Sequence, residues 1–459
     1  MRRKKMLCII ASLLAVGVVG CGNSATTEKG EEAMDLTGSQ KVVVEGDDWG
    51  PAVTKTIVHF DQEIDGSTIG VDTFKVVENK ESFNFAAMMG GDSDVDLSEH
   101  IIATADRTVT DAYACDAEGN KVDASEYVAL ELYANPDTGN PFCYDVLTWH
   151  NTVCSPYQLE VTLNDGQSLA TTAGNPISSV EISSDIDLST NVAIYPQLKD
   201  VDLSGKYTGA DGKTLSYGSY APADDGQKHP LVIWVHGAGE GGTKNEIVVL
   251  GNEVTALYGD EFQKAMGGAY VLTPQTDTFW LTYNENGDWQ DNPGKDSIYL
   301  ETLKGLIDDY VAKHENIDTN RIYIGGCSNG GYMTMDMVLN YPDYFAAAFP
   351  ICEAYADSGI TDSQLAGIKD LPIWFVYAKN DTTVIPEQFE IPTVERLKAM
   401  GADVHTSVFE DVHDTTGRFT SDDGQPYQYM GHWSWLYFFN NECEEDGVNM
   451  WNWLAEQSK

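Results

Sequence analysis

Basic residues are scarce in this chain. It carries 27 Lys and Arg against 72 Asp and Glu over 459 residues, a formal net charge of −45. Such a surface repels nucleic acid and anionic membrane, which excludes both as partners. Long apolar runs are absent beyond residue 20, so no later stretch reads as a transmembrane helix. Metal-site patterns are missing too: there is no H-E-x-x-H and no paired C-x-x-C, so no metal or cofactor is called for. Eight cysteines in so long a chain make no disulfide scaffold. Cys8 and Cys21 lie in or beside the leader. Of the other six, Cys143 with Cys154 reads as a loop closure, and Cys327 and Cys352, each ending an expected strand, as spatial neighbours. Oligomeric state is not written in the sequence.

What is present begins with a targeting segment. Arg2, Arg3, Lys4 and Lys5 precede an apolar core from Leu7 to Val19, too short to cross a bilayer comfortably. The segment ends Val18-Val19-Gly20-Cys21, which resembles the bacterial lipoprotein cleavage box. That resemblance implies lipidation of Cys21 and a protein held on the extracellular face of the membrane by lipid alone. Residues 1–20 are then the signal peptide, and the polar stretch to Ser39 a flexible tether.

From 40 to about 190 the chain reads as a β-sandwich. Thr54–Phe60 and Tyr127–Tyr133 are rich in β-branched and aromatic residues, and Val71–Val77, Val109–Ala114 and Gln158–Leu163 are shorter runs of the same kind. Turn chemistry separates them and long helical periodicity is absent. Asp92-Ser-Asp-Val-Asp96 opens like a calcium loop. Leu97 stands where glycine is needed and Ala103 where a bidentate glutamate is needed, so it reads as a solvated acidic loop. Through Asp48-Trp-Gly-Pro-Ala-Val-Thr54 and Arg107-Thr-Val-Thr-Asp-Ala-Tyr113 the unit resembles the immunoglobulin-like domain that precedes the catalytic domain of some bacterial esterases. A polar connection, Ser183 to Asp200, marks the domain boundary.

Residues 201–459 alternate strands and helices, which predicts a mostly parallel sheet covered on both faces. Expected strands include Lys213–Tyr220, Leu231–Val235, Ala269–Leu272, Arg321–Ile324, Ala346–Ile351, Leu371–Tyr377 and Val404–Phe409. Helices are expected after Ser297, after Ser328, and from about Pro386 to Met400. Gly326-Cys-Ser-Asn-Gly330 fits G-x-S-x-G between a strand and a helix. A serine on that sharp turn needs side-chain-free neighbours two before and two after, and its hydroxyl stands clear of the sheet. Ser328 is therefore the candidate nucleophile. His236-Gly-Ala-Gly-Glu-Gly-Gly242 directly follows a strand and resembles the H-G-G-G class of oxyanion loop. The expected donors are the N–H groups of Ala238 and Asn329, with His236 bracing its loop.

A serine hydroxyl needs a base, and the base an orienting acid. Asp381 ends the run Leu371–Asp381 in a polar turn and is the candidate acid. Two histidines follow it, His413 and His432, and spacing leaves both open. The region from Leu231 to Leu454 resembles the esterase and peptidase-like branch of the α/β-hydrolases, which includes feruloyl esterases and polyhydroxybutyrate depolymerases. The likeness rests on His236-Gly237, Gly326–Gly331, Ala378–Asp381 and Gly431-His-Trp-Ser-Trp435. It implies that His432 is the base. It also implies an α/β-hydrolase fold and a serine carboxylesterase acting on a small or polysaccharide-linked ester, acetyl or feruloyl among them. A serine peptidase of the same fold and a non-catalytic binding lipoprotein are the alternatives. Trp280, Tyr283, Trp289, Trp433 and Trp435 are expected near the mouth of the site.

Overall fold

The computed structural model describes residues 34–83, 100–145, 147–188, 192–281, 295–421 and 423–459. The leader with Cys21, the Asp92–Asp96 loop, Tyr283 and Trp289 lie outside the described residues.

The N-terminal unit is two sheets packed face to face. In the larger, Met34–Asp47 pairs antiparallel with Gly50–Asp65, which pairs with Ala124–Leu132, and that with Val109–Cys115. In the smaller, Phe74–Phe83 lies between His100–Arg107 and Tyr157–Leu163. Alternate apolar residues from both sheets, among them Val44, Val58, Phe74, Val76, Leu159 and Val161, form one core. The first strand starts at Met34, inside the stretch read as tether. Leu36 is buried there and the strand pairs in parallel with Pro176–Ile182, so burial outweighs the polar composition of its neighbours. All six described cysteines are free and buried. The Cys143 and Cys154 thiols sit against each other. Cys327 and Cys352 lie close at the ends of neighbouring strands.

The second unit is an eight-stranded sheet: β1 (Asp202–Thr208), β2 (Thr214–Tyr220), β3 (His229–Val235), β4 (Tyr270–Gln275), β5 (Ile317–Cys327), β6 (Ala347–Ile351), β7 (Ile373–Ala378) and β8 (Val404–Phe409). The strand order is β1-β2-β4-β3-β5-β6-β7-β8. β1 and β2 run antiparallel and β3 to β8 parallel. β3, β4, β6 and β7 are buried along their whole length, as a parallel sheet covered on both faces requires. The helices are α1 (Asn245–Leu250), α2 (Asp260–Met266), α3 (Leu300–Lys313), α4 (Asn329–Asn340), α5 (Asp362–Ile368), α6 (Glu390–Ala399), α7 (Trp435–Phe439) and α8 (Met450–Glu456). α6 starts four residues later than the sequence implies.

The two units share their cores. Ile247, Val249 and Leu250 of α1 pack into the sandwich, while Trp49, Ala52 and Ala134 pack with the sheet domain. Within the sandwich, buried Arg107 bonds Glu78 at 2.8 Å and the carbonyls of Val53 and Tyr133. Lys80 holds the carbonyl of Asn140 at 2.7 Å. These bonds fix the 134–142 turn where it meets the second domain.

Candidate active site

The turn out of β5 is flanked by two glycines because the chain must turn sharply under its neighbours. A side chain at Gly326 or Gly330 would run into the carbonyl oxygen of Val235. Between them Ser328 takes φ 56° and ψ −116°, a conformation that costs a non-glycine residue about 1–3 kcal/mol. Hydrogen bonds hold it there: Ser328 N–H donates to the Ile351 carbonyl at 2.9 Å, and the Ser328 carbonyl accepts from Tyr332 and Ala354. α4 starts at Asn329, so its first-turn N–H groups stand beside the serine. The Asn329 side chain accepts from Leu281 N–H at 2.9 Å.

Asp381 lies just past β7, with its side chain out of solvent. Its Oδ1 accepts from the N–H groups of Thr383 and Val384 at 2.8 and 3.0 Å. Its Oδ2 is 2.7 Å from Nδ1 of His432. His432 is buried on the turn before α7, and Trp435 packs edge-on against the ring. Gly431 permits the approach, since a side chain there would meet the backbone of Asn380. His413 is elsewhere. Its Nδ1 meets Asp411 at 2.6 Å, its N–H donates to the Tyr437 hydroxyl, and it does not line the cavity.

The loop after β3 is braced on all sides. His236 Nδ1 donates to the Gly237 carbonyl at 2.6 Å, and its Nε2 accepts from Thr276 N–H. Both nitrogens are thus committed in the neutral ring, and burial pushes its pKa down to about 4. Trp280 Nε1 donates to the His236 carbonyl at 3.1 Å. Trp280 is fully buried, which corrects its placement at the mouth: its indole N–H is used inside the fold.

A cavity of about 800 Å³ collects these parts. Ser328, Asn329, Ala238 and His432 all line it, as do Gly237, Gly239 and Glu240. Its walls carry many aromatic rings: Phe279, Tyr427, Tyr429, Trp433 and Trp435 come from the sheet domain. Trp49, Phe142, Tyr144, Trp149 and Asn151 come from the sandwich. That second set was not foreseen from sequence, where no signal places a strand turn of one domain over the site of another. No Lys or Arg is among the described lining residues. Nor, among the described residues, are three His, Cys, Asp or Glu grouped to hold a metal ion.

Residues 39–191 match the model of the esterase immunoglobulin-like N-terminal domain, and residues 222–422 that of the phospholipase/carboxylesterase family. The chain thus carries a phospholipase/carboxylesterase-type α/β-hydrolase domain behind an esterase-type immunoglobulin-like domain. A thermostable esterase of known crystal structure superposes at TM-score 0.69 with 25% identity, over 92% of this chain and 100% of that one. A poly(3-hydroxyalkanoate) depolymerase C of Paucimonas lemoignei is 28% identical over 151 residues, 31% of this chain. The matched region spans about a third of that relative's length, 32%. These likenesses support a carboxylic ester hydrolase, with the immunoglobulin-like domain of this esterase family ahead of the hydrolase domain.

Proposed function

We propose that the protein is a serine carboxylesterase working through an acyl-enzyme, with Ser328 as nucleophile, His432 as base and Asp381 as the acid that orients it. The carrying observation is the 2.7 Å contact of Asp381 with His432 on the wall of the cavity that Ser328 also lines. With Nδ1–H given to Asp381, Nε2 is the free basic nitrogen. Ser328 Oγ attacks the ester carbonyl and His432 takes its proton. The N–H groups of Ala238 and Asn329 receive the charge on the carbonyl oxygen. Collapse breaks the bond to the alcohol, which leaves with the proton from His432. A water then repeats the sequence and releases the acid.

The aromatic wall, with no Lys or Arg among its described residues, favours a neutral ester with a bulky or planar group, such as a feruloyl ester, over an anionic one. Half-exposed Trp149, at 49%, offers a face on which a sugar ring can stack. An acetyl or feruloyl ester on a polysaccharide fits both features. Among the described lining residues the peptidase alternative finds no free amine clamp. Asp48 is engaged by Asn440 and by the Glu253 carboxyl, and Glu240 by backbone and amide donors. The leader pattern supports a lipid anchor on Cys21 and work outside the cytoplasm; labelled palmitate incorporation, lost in Cys21→Ala, tests it.

The test of the reaction is Ser328→Ala. Turnover of p-nitrophenyl acyl esters is expected to fall by about 10⁴-fold or more, with fluorophosphonate labelling abolished. Retained turnover and labelling would rule out the assignment, and faster cleavage of peptide anilides than of esters in the wild type would favour the peptidase.

A further inference from the structure

One buried carboxylate on the cavity wall has no part in the reaction so far. Glu240 is 5% exposed and sits on the loop that carries Ala238. Its carboxylate accepts from the side chain of Asn252, from the N–H of Gly237 and from its own N–H. On its far side it accepts from Asn151 Nδ2 at 3.3 Å. Asn151 belongs to the His150–Val153 strand of the N-terminal domain. The same strand is fastened beside the loop by His150, which stacks on Phe279 and reaches the Thr278 carbonyl. Burial pushes the Glu240 carboxyl up to about 7 against the pull of these donors.

The rest of the loop is already tied down. The Gly237 carbonyl accepts from His236 and from Glu240 N–H. The Glu240 carbonyl accepts from Gln275 Nε2 at 2.9 Å, and Gly242 N–H donates to the Thr276 carbonyl. Gly237 N–H, one peptide before the proposed oxyanion donor, faces two side chains, the Glu240 carboxylate and the Cys327 sulfur, and the carboxylate is the stronger acceptor of the two. Once ionised, which for this carboxyl means above about pH 7, such an acceptor grips an N–H about twice as strongly as a neutral one.

We infer that Glu240 is a positioning residue for the oxyanion loop: it holds the Gly237 N–H on one side and Asn151 of the N-terminal domain on the other, so that the sandwich helps set where the Ala238 N–H stands. This rests on the esterase reading of the site. The loop's task is to meet the oxygen of the tetrahedral state and not the ground-state carbonyl, so loosening it acts on the chemical step.

The experiment is the kinetics of Glu240→Gln and Asn151→Ala on p-nitrophenyl acetate. Inhibition by a trifluoromethyl ketone, which adds the serine to form an oxyanion, is measured alongside. The loss of one complete oxyanion donor costs about 10²–10³ in kcat, so a displaced one is expected to cost ~10–100-fold in E240Q and ~3–10-fold in N151A. KM should stay within about twofold, and affinity for the ketone should fall in parallel with kcat. Wild-type kcat in both variants, or a rise in KM alone, overturns the inference. If E240Q does not fold by circular dichroism, N151A decides alone, and wild-type kcat there overturns it. The two readings fail separately: turnover retained in S328A sinks the esterase reading, whereas a dead S328A beside a fully active E240Q sinks only the role of Glu240.

Discussion

The choice between two histidines shows how far single residues can be read. His413 and His432 both follow Asp381, and the sequence ranks them by resemblance alone. In space only His432 meets the acid, and only His432 faces the cavity. His432→Ala is expected to lose about 10⁴-fold or more in kcat, and His413→Ala less than about twofold, in the same nitrophenyl ester assay. The sharp turn at Ser328 was legible because a steric demand wrote itself into the chain as two glycines. Glu240 was not, because nothing in H-G-A-G-E-G-G says that its carboxylate turns inward. Glu353 and Glu390 were equally hidden. Both are fully buried, and burial, then Glu390 for Glu353 and Asp381 for Glu390, holds their carboxyls well above the ordinary range. An acid whose folded pKa is raised keeps its proton in the native state where the unfolded chain has lost it. Stability therefore falls as pH rises above about 4.5, by about 1.4 kcal/mol per pH unit for one such proton. Glu390→Gln removes that slope. Urea unfolding of variant and wild type at pH 5 and pH 8 is expected to show the variant gaining relative stability at pH 8, and an equal difference at both would disprove it.

Among the elements, strands with a continuous apolar or β-branched pattern were readable to within a few residues, β3, β6 and β8 among them. β1 was not, because its residues alternate between half-buried and exposed along an edge. α1 was missed for a different reason. Six residues are too few to show a helical period, and its apolar face looks toward the other domain. The antiparallel pair Phe142–Asp145 and His150–Val153 is the element with most bearing on substrate. It brings Phe142, Tyr144, Trp149 and Asn151 to the cavity, and Trp149 at its tip sits at φ 61°. A planar acyl or sugar group resting on that indole gains stacking contact worth about 0.5–1.5 kcal/mol. Trp149→Ala is thus expected to raise KM for methyl ferulate about 2–10-fold while leaving p-nitrophenyl acetate unchanged. An equal effect on both esters would move the acyl site away from this pair.

At the scale of the molecule, the two domains were separable in sequence by composition, and their union was not. The pattern of each half announces its own core, but the residues that join them look like ordinary apolar or acidic positions. Trp49, 6% exposed, leaves the sandwich to pack with Phe419 in the sheet domain. Beside it Asp47 pairs with Arg418 at 2.7 Å. Asp48 meets the Glu253 carboxyl, whose pKa burial pushes up to about 10, so that a proton lies between them at neutral pH. Aromatic burial, an ion pair and a shared proton in one joint couple the folding of both halves. Two domains linked so unfold together unless the joint is weaker than the difference in their own stabilities. Calorimetry of the wild type is expected to give one transition whose van't Hoff and calorimetric enthalpies agree. Trp49→Ala removes a buried indole, at a cost of about 3–5 kcal/mol, and is expected to split the trace into two transitions. The walls of the cavity come from both halves, so esterase activity in that variant should vanish with the first transition, whichever domain melts first. Activity persisting to the second would mean that the sandwich is a passenger on the catalytic domain.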